Sequence, residues 1–136
     1  MANTITTKRI SNSVKTMLVE NDATTLSGST YVAIIDGINV EAYDRASIQV
    51  LSNDEGGGLT CQVWGSLFDA AEALPVTNSK WVQIGDDVVV TASSGSMKSI
   101  ATTALRLLAV TVKATDGSST TVITAGDCKV FLQGTI

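Results

Sequence analysis

Two segments of this chain alternate apolar and polar residues with a period of two. In RASIQVL (45–51), Ala46, Ile48 and Val50 fall on one side, and Ser47 and Gln49 on the other. In LTCQVWGS (59–66), Leu59, Cys61 and Val63 form an apolar row, and Thr60, Gln62, Trp64 and Ser66 form the opposite one. A helix turns about 100° per residue and would scatter such rows, whereas a strand places alternate residues on opposite faces. Both segments are therefore strands with one face against a core.

Shorter apolar runs bounded by turn-formers extend the pattern. VKTMLVE (14–20), TYVAIID (30–36), KWVQIG (80–85), DVVVTA (87–92), TVIT (121–124) and CKVFLQG (128–134) each read as a strand. TALRLLAVTVKAT (103–115) reads as the longest, and it is apolar on both faces from Leu105 to Val110, as a central strand or one with a β-bulge near Leu107-Leu108 would be. Asp36-Gly37, Gly85-Asp86 and Asp116-Gly117 read as turns, and NDATTLSGST and SSGSMKS as loops. SLFDAAEALP carries the one helical signal. Ser66 and Asp69 fit a capping box, and Leu67, Ala70, Ala71 and Leu74 share a face before Pro75, which limits any helix to one or two turns near 66–74. The expected fold is all-β: an antiparallel β-sandwich or jelly roll of about eight to nine strands with at most one short helix. One domain spans 13–136. Residues 1–12, polar with isolated Ile5 and Ile10, form an arm or a first edge strand.

Composition supports this reading and narrows function. Eighteen Thr and fourteen Ser in 136 residues supply polar surface that charges do not, because only 16% of residues are charged. Net charge is −4, and the nine basic residues are scattered except for Lys8-Arg9, so no stripe is present to neutralise a phosphate backbone. The N-terminus lacks the apolar stretch of a secretion signal, and no apolar run is long enough for a membrane helix. The expected place of synthesis is cytoplasm, without nucleic-acid or membrane partners.

The chain contains no histidine, which excludes Ser-His-Asp, Cys-His and HExxH chemistry. Lys98-Ser99 lacks the glycine frame of a phosphate loop. Asp54-Glu55 and Asp86-Asp87 have no EF-hand spacing and read as solvated turn carboxylates rather than a calcium site. Cys61 and Cys128 read as two buried thiols; a disulfide between them is the other reading, and zinc is disfavoured without His or CxxC. No catalytic residue, cofactor or metal is expected.

Both tryptophans fall on polar rows. Trp64 goes with Gln62, and Trp81 goes with Gln83 if Val82 and Ile84 face the core. Each could cover a sheet edge or the segment 67–80. Alternatively, Trp64 is buried by another chain, since tryptophan is enriched at the energetic centres of interfaces. Trp64, Trp81, Ile5 and Ile10 are the candidate interaction residues.

The succession LTCQVWGS, WVQIG, ALRLLAVTVKA resembles small bacteriophage virion β-sandwich proteins of the capsid decoration, or cement, type. It is also similar to discoidin-like carbohydrate-binding sandwiches, but lacks their Trp-rich N-terminal half and disulfide-closed ends. The virion resemblance implies a non-enzymatic protein that binds the outer shell and bridges capsid subunits as a homo-oligomer, taken here as a trimer. Its partner would be the major capsid protein or another virion protein. The discoidin-like resemblance implies a carbohydrate- or receptor-binding module of a phage tail or fibre.

Overall fold

In a computed structural model of the chain, residues 3–9, 14–27, 30–52, 58–69, 80–115 and 120–135 are described. They form twelve strands: β1 (Asn3–Arg9), β2 (Val14–Asn21), β3 (Thr24–Ser27), β4 (Val32–Asn39), β5 (Arg45–Leu51), β6 (Leu59–Ser66), β7 (Val82–Gln83), β8 (Val88–Val90), β9 (Gly95–Ala101), β10 (Leu107–Ala114), β11 (Thr120–Ile123) and β12 (Cys128–Thr135). No helix occurs among the described residues, and most of the expected helix at 66–74 lies outside them.

One sheet has the order β1-β2-β12-β5-β9, a second the order β4-β10-β6-β7 with β8 also on β6, and β3 and β11 form a separate two-stranded sheet. All pairings are antiparallel. Early strands pair with late ones: β2 with β12, β3 with β11, β4 with β10, β5 with β9, and β6 with β8 and β7. This is a single antiparallel ribbon rolled so that β2–β12 and β5–β9 fall in one large sheet and β4–β10 and β6–β8 in the other, with β3–β11 at the corner between them, which defines a jelly roll. β1 lies outside the ribbon, added to the free edge of β2.

The core lies between the sheets. Val19, Ala46, Ile48, Val50, Val130 and Leu132 from one sheet meet Ile35, Leu59, Cys61, Val63, Leu108, Val110 and Val112 from the other. The inward rows of β5 and β6 are those read from the alternation. Cys61 and Cys128 are free and buried in this core.

Several local expectations are corrected. NDATTLSGST contains β3, because Thr24–Ser27 pairs with β11 at the corner of the ribbon and buries Leu26. SSGSMKS contains most of β9, a sheet-edge strand in which Gly95 and the polar Ser96, Lys98 and Ser99 imitate a loop. Asp36-Gly37 is no turn: β4 runs through it with extra residues opposite β10, so the bulges sit on β4 rather than at Leu107-Leu108. Residues 103–106 precede β10 as a turn in which Leu105 N–H donates to the Thr102 carbonyl at 3.0 Å.

Candidate functional site: the outer face of the sheet of β4, β10, β6 and β7

The sheet β4-β10-β6-β7 turns Leu108, Val110 and Val112 inward and therefore Leu107, Ala109, Thr111 and Lys113 outward. On β6 the outward row is Thr60, Gln62, Trp64 and Ser66, with Trp64 opposite Ala109 and Gln62 opposite Thr111. Gln83 of β7 lies opposite Trp64 on the other side. Both tryptophans belong to this face.

Trp81 covers part of this face. It is only 6% exposed, and its ring lies over Gly37, where an added Cβ would meet it at 3.2 Å. It is buried but stands apart from the core cluster. Trp81 therefore seals the outer surface of the sheet, one of the two roles open to it from sequence. Val82, expected in the core, is instead 65% exposed, while Ile84 does pack against the core. Strand β7 is only two residues long, too short to carry parity across KWVQIG.

Trp64 is half-buried. Its indole N–H donates to Thr111 Oγ1 at 3.0 Å, and Thr111 Oγ1 donates to Gln62 Oε1 at 3.5 Å. Gln62 Nε2 donates to Asp87 Oδ1 at 3.2 Å. Gln83 Nε2 donates to the same oxygen at 2.7 Å, and the Tyr31 hydroxyl donates to Asp87 Oδ2 at 3.4 Å. The Lys113 ammonium sits 5.0 Å from the centre of the Tyr31 ring. A continuous polar chain thus runs from Trp64 to a carboxylate beyond the sheet. The bonds from Gln83, and next from Gln62, hold the Asp87 carboxyl below the usual carboxylate range. Desolvation, and next the charge of Asp87, push the Tyr31 phenol up.

Asp87 is held in place from the other sheet. Lys98 on β9 lies opposite Ile48, a core residue, and so points inward. Its ammonium donates to the carbonyls of Ile84 at 2.6 Å and Asp86 at 3.3 Å. Between them Gly85 has φ of +73°, and an added Cβ there would lie 2.5 Å from Lys98 Nζ. Only glycine suits that turn, which leads directly to Asp87.

The other end of this sheet is apolar. Val82 lies opposite Gly65, on the side away from Trp64, and Leu67 and Phe68 follow directly after β6; all three are exposed. Lys80 Nζ lies 5.6 Å from the centre of the Phe68 ring. Arg106 ties this end together by ion pairs to Glu41 at 2.9 Å and to Asp69. Ser66 Oγ accepts from the Phe68 N–H at 3.1 Å, a local turn in place of the expected cap.

Of the other candidates, Ile5 pairs with the core residue Val19 but is 56% exposed, because β1 forms the rim of its sheet. Ile10 lies outside the described residues. Asp87 had been read as a solvated turn carboxylate. It is a hub that joins Gln62, Gln83 and Tyr31, and this was hidden because two of these partners lie 25 and 56 positions away.

No group of three or more His, Cys, Asp or Glu side chains among the described residues is arranged to hold a metal. No helix among them is long and apolar enough to cross a membrane.

No family model matches the chain, and no curated protein matches it. Among solved structures, the chain is similar to one from the Bacillus endospore appendages, a family of disulfide-linked pili, with 17% identity, a TM-score of 0.43 and 88% of each chain covered. It is similar to a chain of infectious bursal disease virus, Gx strain, with 10% identity and a TM-score of 0.40 over 89% of this chain and 32% of that one. A cupin superfamily protein from Desulfitobacterium hafniense gives 9% identity and a TM-score of 0.31 over 99% and 78%. Superpositions this loose carry no argument. The jelly-roll assignment rests on strand order and register, and none of these three is a capsid decoration protein.

Proposed function

We propose that this chain is a non-enzymatic virion structural protein of the capsid decoration type, and that it binds its partner through the apolar end of this sheet. The observation that carries this is that Leu67 and Phe68, directly after β6, and Val82, on β7 opposite Gly65, are all exposed at the end of the sheet where half-buried Trp64 stands. Exposed apolar side chains are ordinary singly, but a group rimmed by charged residues such as Glu41, Asp69 and Arg106 marks a protein contact. Repeated on a symmetric shell, a modest contact gains strength from multivalency. The partner is the major capsid protein or a second virion protein, with the protein itself acting as a homo-oligomer, taken as a trimer.

The test uses Phe68→Ser combined with Val82→Ser, and separately Trp64→Ala. Both serine sites are exposed, so the double variant is expected to keep its stability within about 0.5 kcal/mol. Light scattering and co-sedimentation with capsids are expected to show weakened assembly in both variants. A wild-type chain that remains monomeric at high concentration and does not sediment with capsids overturns the proposal.

A further inference from the structure

The polar groups around Asp87 on the outer face have no part in the assembly reading, and Trp64 borders both regions. Its composition is specific: one exposed carboxylate, two primary amides, a half-buried indole, a phenol ring and one ammonium. The geometry points to a shallow site for a neutral sugar ring, with the apolar face of the ring on Trp64 and its hydroxyls on Asp87, Gln62 and Gln83.

Three features select that ligand class. First, the charges balance locally, since Lys113 stands near the carboxylate that Tyr31 contacts, so neither an anion nor a cation is favoured. Second, hydrogen-bonding capacity remains. Gln62 and Gln83 each place one amide N–H on Asp87 Oδ1, which leaves a second N–H on each, and Asp87 Oδ2 receives only the 3.4 Å contact from Tyr31. Hydroxyl groups, which both donate and accept, match such a set. Third, the groups are already oriented. The relay from Trp64 through Thr111 and Gln62 to Asp87 fixes one side, and Lys98 fixes the turn before Asp87 on the other. Preorganised polar groups beside an aromatic surface give a small ligand its orientation. A peptide adding as a strand is not suited here, because β6 and β10 are already paired on both sides.

The experiment is a titration of the ¹⁵N-labelled chain with methyl glycosides of glucose, galactose and mannose, each up to its solubility limit, followed by NMR. The expected result is a shift of the Trp64 indole N–H and of the Gln62 and Gln83 side-chain amides with at least one glycoside, at millimolar affinity. Asp87→Asn and Gln83→Ala are each expected to weaken that binding tenfold or more. Val122→Ser, at an exposed site on β11, is expected to leave it unchanged. Phe68→Ser with Val82→Ser is also expected to bind normally, which separates this site from the assembly surface. The inference is overturned if no glycoside moves these resonances, or if both Asp87 and Gln83 variants bind like wild type. It is also overturned if the resonances move only with protein concentration, which would make the polar end an interface between copies.

Discussion

Gly134 shows how little room a jelly roll leaves where a connection crosses a strand. An added Cβ there would lie 2.4 Å from the Ala42 carbonyl oxygen and 3.0 Å from the Tyr43 Cα, both backbone atoms that cannot swing aside. Gly134→Ala is therefore expected to cost about 1–3 kcal/mol, read as a lower midpoint in denaturant. Gly37→Ala meets a side chain instead, the Trp81 ring at 3.2 Å, and is expected to shift the tryptophan emission with a smaller loss of stability. The two thiols give a test in pH. Burial pushes the Cys61 thiol up from 9.0 to about 12, and pushes Cys128 up as well. Below the unfolded value both states hold the proton, and the thiol's contribution to stability is fully present. As pH rises from about 9 towards 12, the unfolded chain ionises first and that contribution is lost. Urea midpoints are expected to fall across that window, and native Cys61 and Cys128 to resist alkylation until the chain unfolds. Cys128→Ser, which buries a hydroxyl, is expected to cost about 1–3 kcal/mol.

Among the elements, β9 explains both what the sequence discloses and what it conceals. The inward rows of β5 and β6 were legible because each strand spans seven or eight residues with one face in the core. SSGSMKS carries no such row: its inward positions include Lys98, a charge where an apolar residue is expected. An inward-pointing lysine on a sheet edge discourages pairing with another chain, and here it also caps the turn before Asp87. Lys98→Met is expected to leave the Ile84 and Asp86 carbonyls without this donor. The expected loss is about 1–3 kcal/mol, together with faster amide exchange in the turn between β7 and β8. Unchanged exchange there would show that the ammonium does not hold the turn. β3 was concealed for a different reason: its four residues are specified by β11, almost a hundred positions later, and not by their own pattern. Trp64 was placed on the correct face because β6 is long, whereas Val82 was misjudged as a core residue because β7 is too short to carry parity, and the cover that Trp81 gives Gly37 comes from tertiary packing. The Asp87 hub was illegible because, apart from Gln83 four positions away, it joins Tyr31 and Gln62, which no local spacing connects to it.

For the molecule as a whole, the rolled ribbon has a kinetic price. Nearly every ladder joins distant segments, with β2 finding β12 and β4 finding β10. Such topologies close large loops before contacts reward them, and refolding is expected in milliseconds to seconds by stopped-flow fluorescence. The same arrangement bears on tension along the chain. β1 and β12 flank β2 on opposite sides and run the same way, with Asn3 level with Asn21 and Thr135 level with Val14. The two points of pull are therefore offset by seven residues of strand, roughly 23 Å. A force drawing Asn3 and Thr135 apart acts along the strand axis and loads the β1–β2 and β2–β12 ladders in shear, so their hydrogen bonds must fail together rather than one by one. Single-molecule pulling from these positions is expected to need far more force than pulling from Asn3 and Asn21, which stand level across the β1–β2 ladder, so that the load falls on its hydrogen bonds one at a time.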